Sequence, residues 1–128
     1  MQILLDTHVV LWALTDDAAL KGEARAMLSD ERNGIWVSAV SIWEVSIKHS
    51  LQRGDMPLSG KDALGYCRTA GYRWLDIRAE HAAAVEDLPP IHGDPFDRLL
   101  VAQALTEPMK LLTHDAVVAR YHPDILLI

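Results

Sequence analysis

The chain has a single cysteine, Cys67, among 128 residues, so it forms no internal disulfide and suits a reducing cytoplasm. Neither a histidine nor an acid stands close to it in sequence; its neighbours are Tyr66 and Arg68. A buried or half-buried thiol is therefore expected. No apolar run is long enough to span a bilayer. No basic segment precedes the strand-like start, so no signal peptide is expected either. Low-complexity tracts, internal repeats and long linkers are missing, while 50% of the residues are hydrophobic. Such a composition excludes a disordered chain and predicts one domain over residues 1–128 around one core. The histidines at positions 8, 49, 81, 92, 114 and 122 are scattered and show no zinc-ligand spacing. Excess positive charge is absent too. A formal charge of −6 argues against strong, metal-free electrostatic binding of nucleic acid.

What is present is an alternation of short apolar runs and helical segments. Residues 2–5 predict a buried strand, and Thr7 offers a cap for a helix to about Leu14. A second amphipathic helix is expected over 22–30, then a turn at Asn33-Gly34 and a strand at Ile35-Trp36-Val37. Ser38 can cap a helix running to about His49, and Arg53 to Pro57 form a connector. A helix over 61–70 leads to a third strand within Tyr72 to Ile77. Ala79 to Asp87 is helical and is stopped by Pro89-Pro90. Asp94-Pro95 opens a helix to about Leu105, with an acidic cap and proline at its first position. Lys110 to Thr113 is a fourth strand, Asp115 to Arg120 a short helix, and Ile125-Leu126-Leu127 a fifth strand. Strands separated by helices imply parallel pairing with right-handed crossovers, an α/β fold.

Four acids stand at informative places in this pattern: Asp6, Glu44, Asp97 and Asp115. Asp6 ends the first strand, Asp115 closely follows the fourth, and Glu44 and Asp97 lie in the strongest helical segments. Ligands of open parallel sheets bind beyond the carboxyl ends of the strands. Two carboxylates about 4 Å apart repel by roughly 4 kcal/mol at an effective dielectric near 20. Four in one cleft stay ionised only beside cations, and oxygen-only ligation suits Mg²⁺ or Mn²⁺. Cations in turn suggest phosphate chemistry. These four acids carry −4 of the −6 net charge, so bound divalent ions would leave the acidic total compatible with RNA.

Each acid also has an ordinary explanation. Asp97 fits a capping pair with Asp94, Glu44 a capping box with Ser41, Asp115 a first helical turn, and Asp6 a turn. Glu44 resists its alternative best, because a cap at Ser38 puts it past the first turn, on the edge of an apolar stripe. A buried carboxylate there needs a partner, and Lys48 at i+4 is the basic residue within helical reach. His114, beside Asp115, is the one histidine expected near the site; the others are expected at the surface or in packing.

Four stretches in order resemble the PIN-domain ribonucleases, in particular VapC-like toxins of bacterial toxin–antitoxin pairs. They are Leu4-Leu5-Asp6-Thr7-His8; Ser38 through Glu44 with Lys48 and His49; Asp94-Pro95-Phe96-Asp97-Arg98 through Ala104; and Leu111-Leu112-Thr113-His114-Asp115. The resemblance implies a three-layer α/β/α sandwich around a central parallel five-stranded sheet of order 3-2-1-4-5. It implies that Asp6, Glu44, Asp97 and Asp115 hold one or two Mg²⁺ or Mn²⁺ ions and cut single-stranded RNA with metal-activated water. It further implies a cytoplasmic homodimer silenced by an antitoxin. Within that scheme Asp6 is the central ligand, and Thr7 and Thr113 either bind phosphate or water or cap helices. Asp94 is a helix cap or a ligand, and Arg98 contacts RNA or pairs with an acid. The tryptophans at 12, 36, 43 and 74 are expected in packing or a dimer interface rather than stacked on bases.

Rival classes fit less well. A phospho-receiver domain needs an acidic neighbour to Asp6, a mid-chain acceptor aspartate and a late Lys-Pro, none of which is present. A phosphatase with a nucleophilic aspartate wants an acid two residues after Asp6, where His8 stands. A non-catalytic, metal-dependent module binding RNA or antitoxin remains the alternative to a nuclease.

Overall fold

The computed structural model describes residues 1–52 and 55–128. The connector expected at 53–57 thus falls partly outside the described residues, at Arg53 and Gly54. In chain order the elements are β1 (Gln2–Leu5), α1 (Thr7–Thr15), α2 (Gly22–Ser29), β2 (Gly34–Ser38), α3 (Ala39–Ser50) and α4 (Gly60–Ala70). There follow β3 (Arg73–Leu75), α5 (Ala79–Ala84) with a 3₁₀ turn (Val85–Asp87), α6 (Pro95–Thr106), β4 (Lys110–Thr113), α7 (Ala116–Ala119) and β5 (Leu126–Leu127).

The strands form one all-parallel sheet in the order β3-β2-β1-β4-β5. Its centre is β1, where Leu4 lies opposite Trp36 and Leu111, and Leu5 opposite Val37 and Leu112. Because strand side chains alternate, Ile3 and Leu5 pack with Val9, Val10, Ala24 and Cys67 on one face. Leu4 points to the other face, into Leu100, Val101 and Val118. This is the three-layer α/β/α sandwich, with strand order 3-2-1-4-5. The buried thiol expected at Cys67 is present, and burial pushes it up to about 11. No described helix is long and apolar enough to cross a membrane.

Local differences from the sequence expectations have local causes. The helix from Ala79 tightens into a 3₁₀ turn after Ala84, and Leu88 is extended (ψ 138) because a proline follows it. Ile125 leaves the expected fifth strand: its N–H donates to the His122 carbonyl at 3.2 Å and its side chain enters the core. Trp12, Trp36 and Trp74 are half-buried, but Trp43 is 52% exposed and stands edge-on to Phe96 with centroids 4.9 Å apart.

Candidate metal centre at the carboxyl edge of the sheet

The central strands β1 and β4 both end in residues that turn toward one edge. Asp6 leaves β1 in an extended conformation (ψ 168), and its Oδ1 accepts the Val9 N–H at 2.9 Å. Asp6 itself, rather than Thr7, thus caps α1, and Thr7 becomes the first helical residue. Asp6 Oδ2 accepts from the Thr113 hydroxyl at the end of β4. The carboxylate is buried, and burial raises its pKa against the opposing pull of Thr113 and Val9. Glu44 adds to the rise.

Ser38 caps α3 by accepting the Val40 N–H at 3.0 Å, so Glu44 does lie beyond the first turn. Its side chain is buried, with the Thr7 hydroxyl donating to Oε1 at 2.7 Å and the Lys48 ammonium on Oε2. The ion pair considered from sequence is therefore formed. Burial works against the Lys48 charge, yet Glu44, Asp94 and Asp97 hold its pKa above the ordinary value.

Asp94 is the cap of α6: Oδ1 accepts the N–H groups of Phe96 at 2.8 Å and Asp97 at 3.2 Å. Proline at the next position needs no acceptor, which suits it to that place. Asp97 then projects from the first turn. Burial, followed by the charges of Asp94, Glu44 and Asp6, pushes its carboxyl up to about 7. Asp115 caps α7, accepting from Val117 N–H at 2.8 Å. Partial burial there is outweighed by the Val117 and Val118 N–H groups and by His92, so Asp115 lies below the usual carboxylate range.

Two of the four expected acids come into direct proximity. Asp97 and Asp115 share a cluster with His92, whose Nε2 is 3.6 Å from Asp97 Oδ2 and 3.4 Å from Asp115 Oδ2. One donor atom from each of the three lies within 4.8 Å of the others. Asp6 and Glu44 stand apart from that cluster, tied to hydroxyls and to Lys48, while their charges still act on Asp97. His92 was not singled out by sequence. The available signal was its place two residues before the cap Asp94, in the loop that leads into the acidic helix.

The remaining candidates divide. Thr7 and Thr113 both donate to site carboxylates. His114 borders a cleft of about 350 Å³ with Asp6, His8, Trp12 and Asp115, but its Nδ1 turns to the Ile128 carbonyl at 2.7 Å. Arg98 pairs with no acid among the described residues. Its guanidinium donates to the carbonyls of Pro89 (3.0 Å) and Val85 (3.3 Å) and to the Tyr121 hydroxyl (3.0 Å), bracing the loop that carries His92.

The donor set fits a hard divalent cation. Asp97 and Asp115 present oxygen atoms, Asp6 and Glu44 add negative field, and the nearby Lys48 is committed to Glu44. Mg²⁺ in particular is bound through few carboxylates and keeps several waters.

Acids at the carboxyl edge of a parallel α/β sheet are a candidate ligand-binding site of that fold class. The PIN domain family model matches residues 3–122, and the chain belongs to the PIN domain family. PIN domains are generally nucleases. The solved structures share the fold at low identity. VapBC2 from Rickettsia felis, bound to a DNA fragment from its promoter, has TM-score 0.72 and 16% identity, covering 100% of this chain and 98% of that one. DNA-bound VapBC from Salmonella typhimurium has TM-score 0.65 and 14% identity, covering 100% and 97%. FitAcB from Neisseria gonorrhoeae has TM-score 0.58 and 19% identity, covering 98% and 96%. Comparison with curated proteins finds no match.

Proposed function

We propose that the chain is a Mg²⁺- or Mn²⁺-dependent endoribonuclease, the toxin of a toxin–antitoxin pair. The observation that carries this reading is the Asp97 carboxylate. It lies within reach of Asp115, and burial first, then the charges of Asp94, Glu44 and Asp6, push its pKa up to about 7. Such crowding disfavours ionisation and is relieved by a divalent cation. Bound there, the ion would lower the pKa of an attacking water and offset charge on the phosphate and leaving oxygen.

The chain's own residues divide the remaining work. Asp97 and Asp115 supply the facing oxygens, and Asp6, anchored at the centre of the sheet, supplies the deeper carboxylate. Glu44 is oriented by Thr7. In this reading the single strand would enter by the cleft beside Asp6, His8 and Trp12. The proposal extends to an antitoxin partner, because the similar structures from Rickettsia felis and Salmonella typhimurium are VapBC complexes; the cytoplasmic homodimer rests on the family resemblance of the sequence.

One observation favours a different reading. Glu44 is already paired with Lys48, as suits a non-catalytic module that binds RNA or antitoxin. The test is cleavage of structured and single-stranded RNAs with Mg²⁺, Mn²⁺ or EDTA, beside an identically prepared Asp6→Asn protein. The nuclease reading expects products only from the wild type and only with metal. Equal products from both preparations sink it. Silence from a folded protein that binds Mn²⁺ favours the binding module.

A further inference from the structure

His92 offers one nitrogen to the backbone and the other to two acids. The Asp94 N–H lies 2.9 Å from His92 Nδ1. A backbone N–H can only donate, so Nδ1 is the acceptor. A neutral imidazole has one donor and one acceptor nitrogen, so the proton is on Nε2. That N–H lies between Asp97 Oδ2 at 3.6 Å and Asp115 Oδ2 at 3.4 Å. Both distances exceed those of a formed hydrogen bond; the N–H faces both carboxylates at contact range.

The backbone that carries the ring is held in place. The Tyr121 hydroxyl accepts the His92 backbone N–H at 2.8 Å, and Arg98 donates to that same hydroxyl at 3.0 Å. Arg98 also grips the Pro89 carbonyl at 3.0 Å. The loop from Pro89 to Asp94 is thus pinned at Pro89 and at His92.

We infer that His92 is a positioning residue whose Nε2–H, set between the facing oxygens of Asp97 and Asp115, orients them toward a divalent cation without itself becoming a ligand. The inference rests on the metal-centre reading above. Ligation would require a lone pair on Nε2. The proton would then move to Nδ1 and meet the Asp94 N–H head-on, donor against donor, at the cap of the helix that carries Asp97. A carboxylate oxygen has a further lone pair for a cation while it accepts from the imidazole. Hydrogen-bond donors to ligating groups typically contribute 10–100-fold in metal affinity.

Two measurements on the full chain test this. In ¹⁵N-histidine NMR, His92 should keep Nδ1 as acceptor and Nε2 protonated both before and after Mg²⁺ is added. A Mg²⁺-dependent switch to a protonated Nδ1 and a bare Nε2 would make it a ligand and overturn the inference. In Mn²⁺ titrations followed by electron paramagnetic resonance, His92→Ala should bind about 10-fold more weakly or worse. His92→Gln, which restores an N–H donor, should recover most of the loss. Unchanged affinity in His92→Ala, or no recovery in His92→Gln, contradicts a role for the N–H. If the wild type binds no Mn²⁺ at all, the metal centre itself fails, and this inference with it.

Discussion

Replacing Asp97 by asparagine should stabilise the metal-free protein at alkaline pH and leave it little changed in acid. Burial and three neighbouring carboxylates raise the Asp97 pKa from 3.8 to about 7. The folded chain therefore keeps a proton on Asp97 where the unfolded chain has lost it, across the window from about pH 4 to about pH 7. In that window stability falls as pH rises, and above it the loss is complete. A rise from 3.8 to about 7 corresponds to about 4 kcal/mol at full ionisation. The Asp97 side chain is 22% exposed, so relaxation and water reduce the effect to roughly 2–4 kcal/mol.

Asparagine keeps the shape and removes the charge, so the mutant lacks this slope. Urea denaturation in EDTA at pH 5 and pH 8 reads the difference directly. In a chain of this size 2–4 kcal/mol corresponds to a Tm gain on the order of 10 °C. Mn²⁺ at about 1,000 times its Kd at pH 8 should cancel or reverse the order, because such a ligand stabilises by about 4.1 kcal/mol and the mutant has lost a binding oxygen. Parallel pH profiles for wild type and Asp97→Asn, or a mutant less stable at pH 8, would refute the burial and crowding that raise the Asp97 pKa.

The other predictions concern the scaffold. Thr7→Val removes the hydroxyl 2.7 Å from buried Glu44 Oε1 and should cost roughly 1–3 kcal/mol in urea melts. Ser38→Ala loses the cap on Val40 N–H and the donor to Gln103 Oε1; a cost of about 1–3 kcal/mol is expected, read as a lower Tm. A Cβ on Gly60 would meet Ser46 Oγ at 1.8 Å and the Ser46 Cα at 3.2 Å. Gly60→Ala should therefore destabilise by about 1–3 kcal/mol, and a second change, Ser46→Gly, should recover most of that in the same assay.

Much of the fold is legible because each strand is a short apolar run with strong punctuation on both sides. Ser38 before α3 and Asp94-Pro95 before α6 mark helix starts by backbone chemistry alone, and the structure uses both. The cap of α1, expected at Thr7, is Asp6, since either residue type caps a helix. The choice is made by Glu44, a residue 37 positions from Thr7 that engages its hydroxyl.

The acids at the sheet edge are likewise visible in sequence, but their division is not. Only tertiary packing tells that Asp97 faces Asp115 while Asp6 and Glu44 lie among hydroxyls. His92 sits in an aperiodic loop, and its approach to Asp115 depends on how α6 and β4 reverse the chain between them. Arg98 stands next to Asp97 in sequence, yet loop carbonyls at Val85 and Pro89 claim its donors. Trp43 shares α3 with core residues, but its place on the helix faces outward, to the rim beside Phe96.

The most direct measurement is the chemical identity of the ends produced when the purified protein cuts single-stranded RNA, read by mass spectrometry. Water activated at a metal centre predicts a 5′-phosphate on one fragment and a 3′-hydroxyl on the other, with no products in EDTA or from Asp6→Asn. Fragments ending in a 2′,3′-cyclic phosphate, formed without added metal and equally by Asp6→Asn, would mean that the acidic centre does not carry out the cleavage.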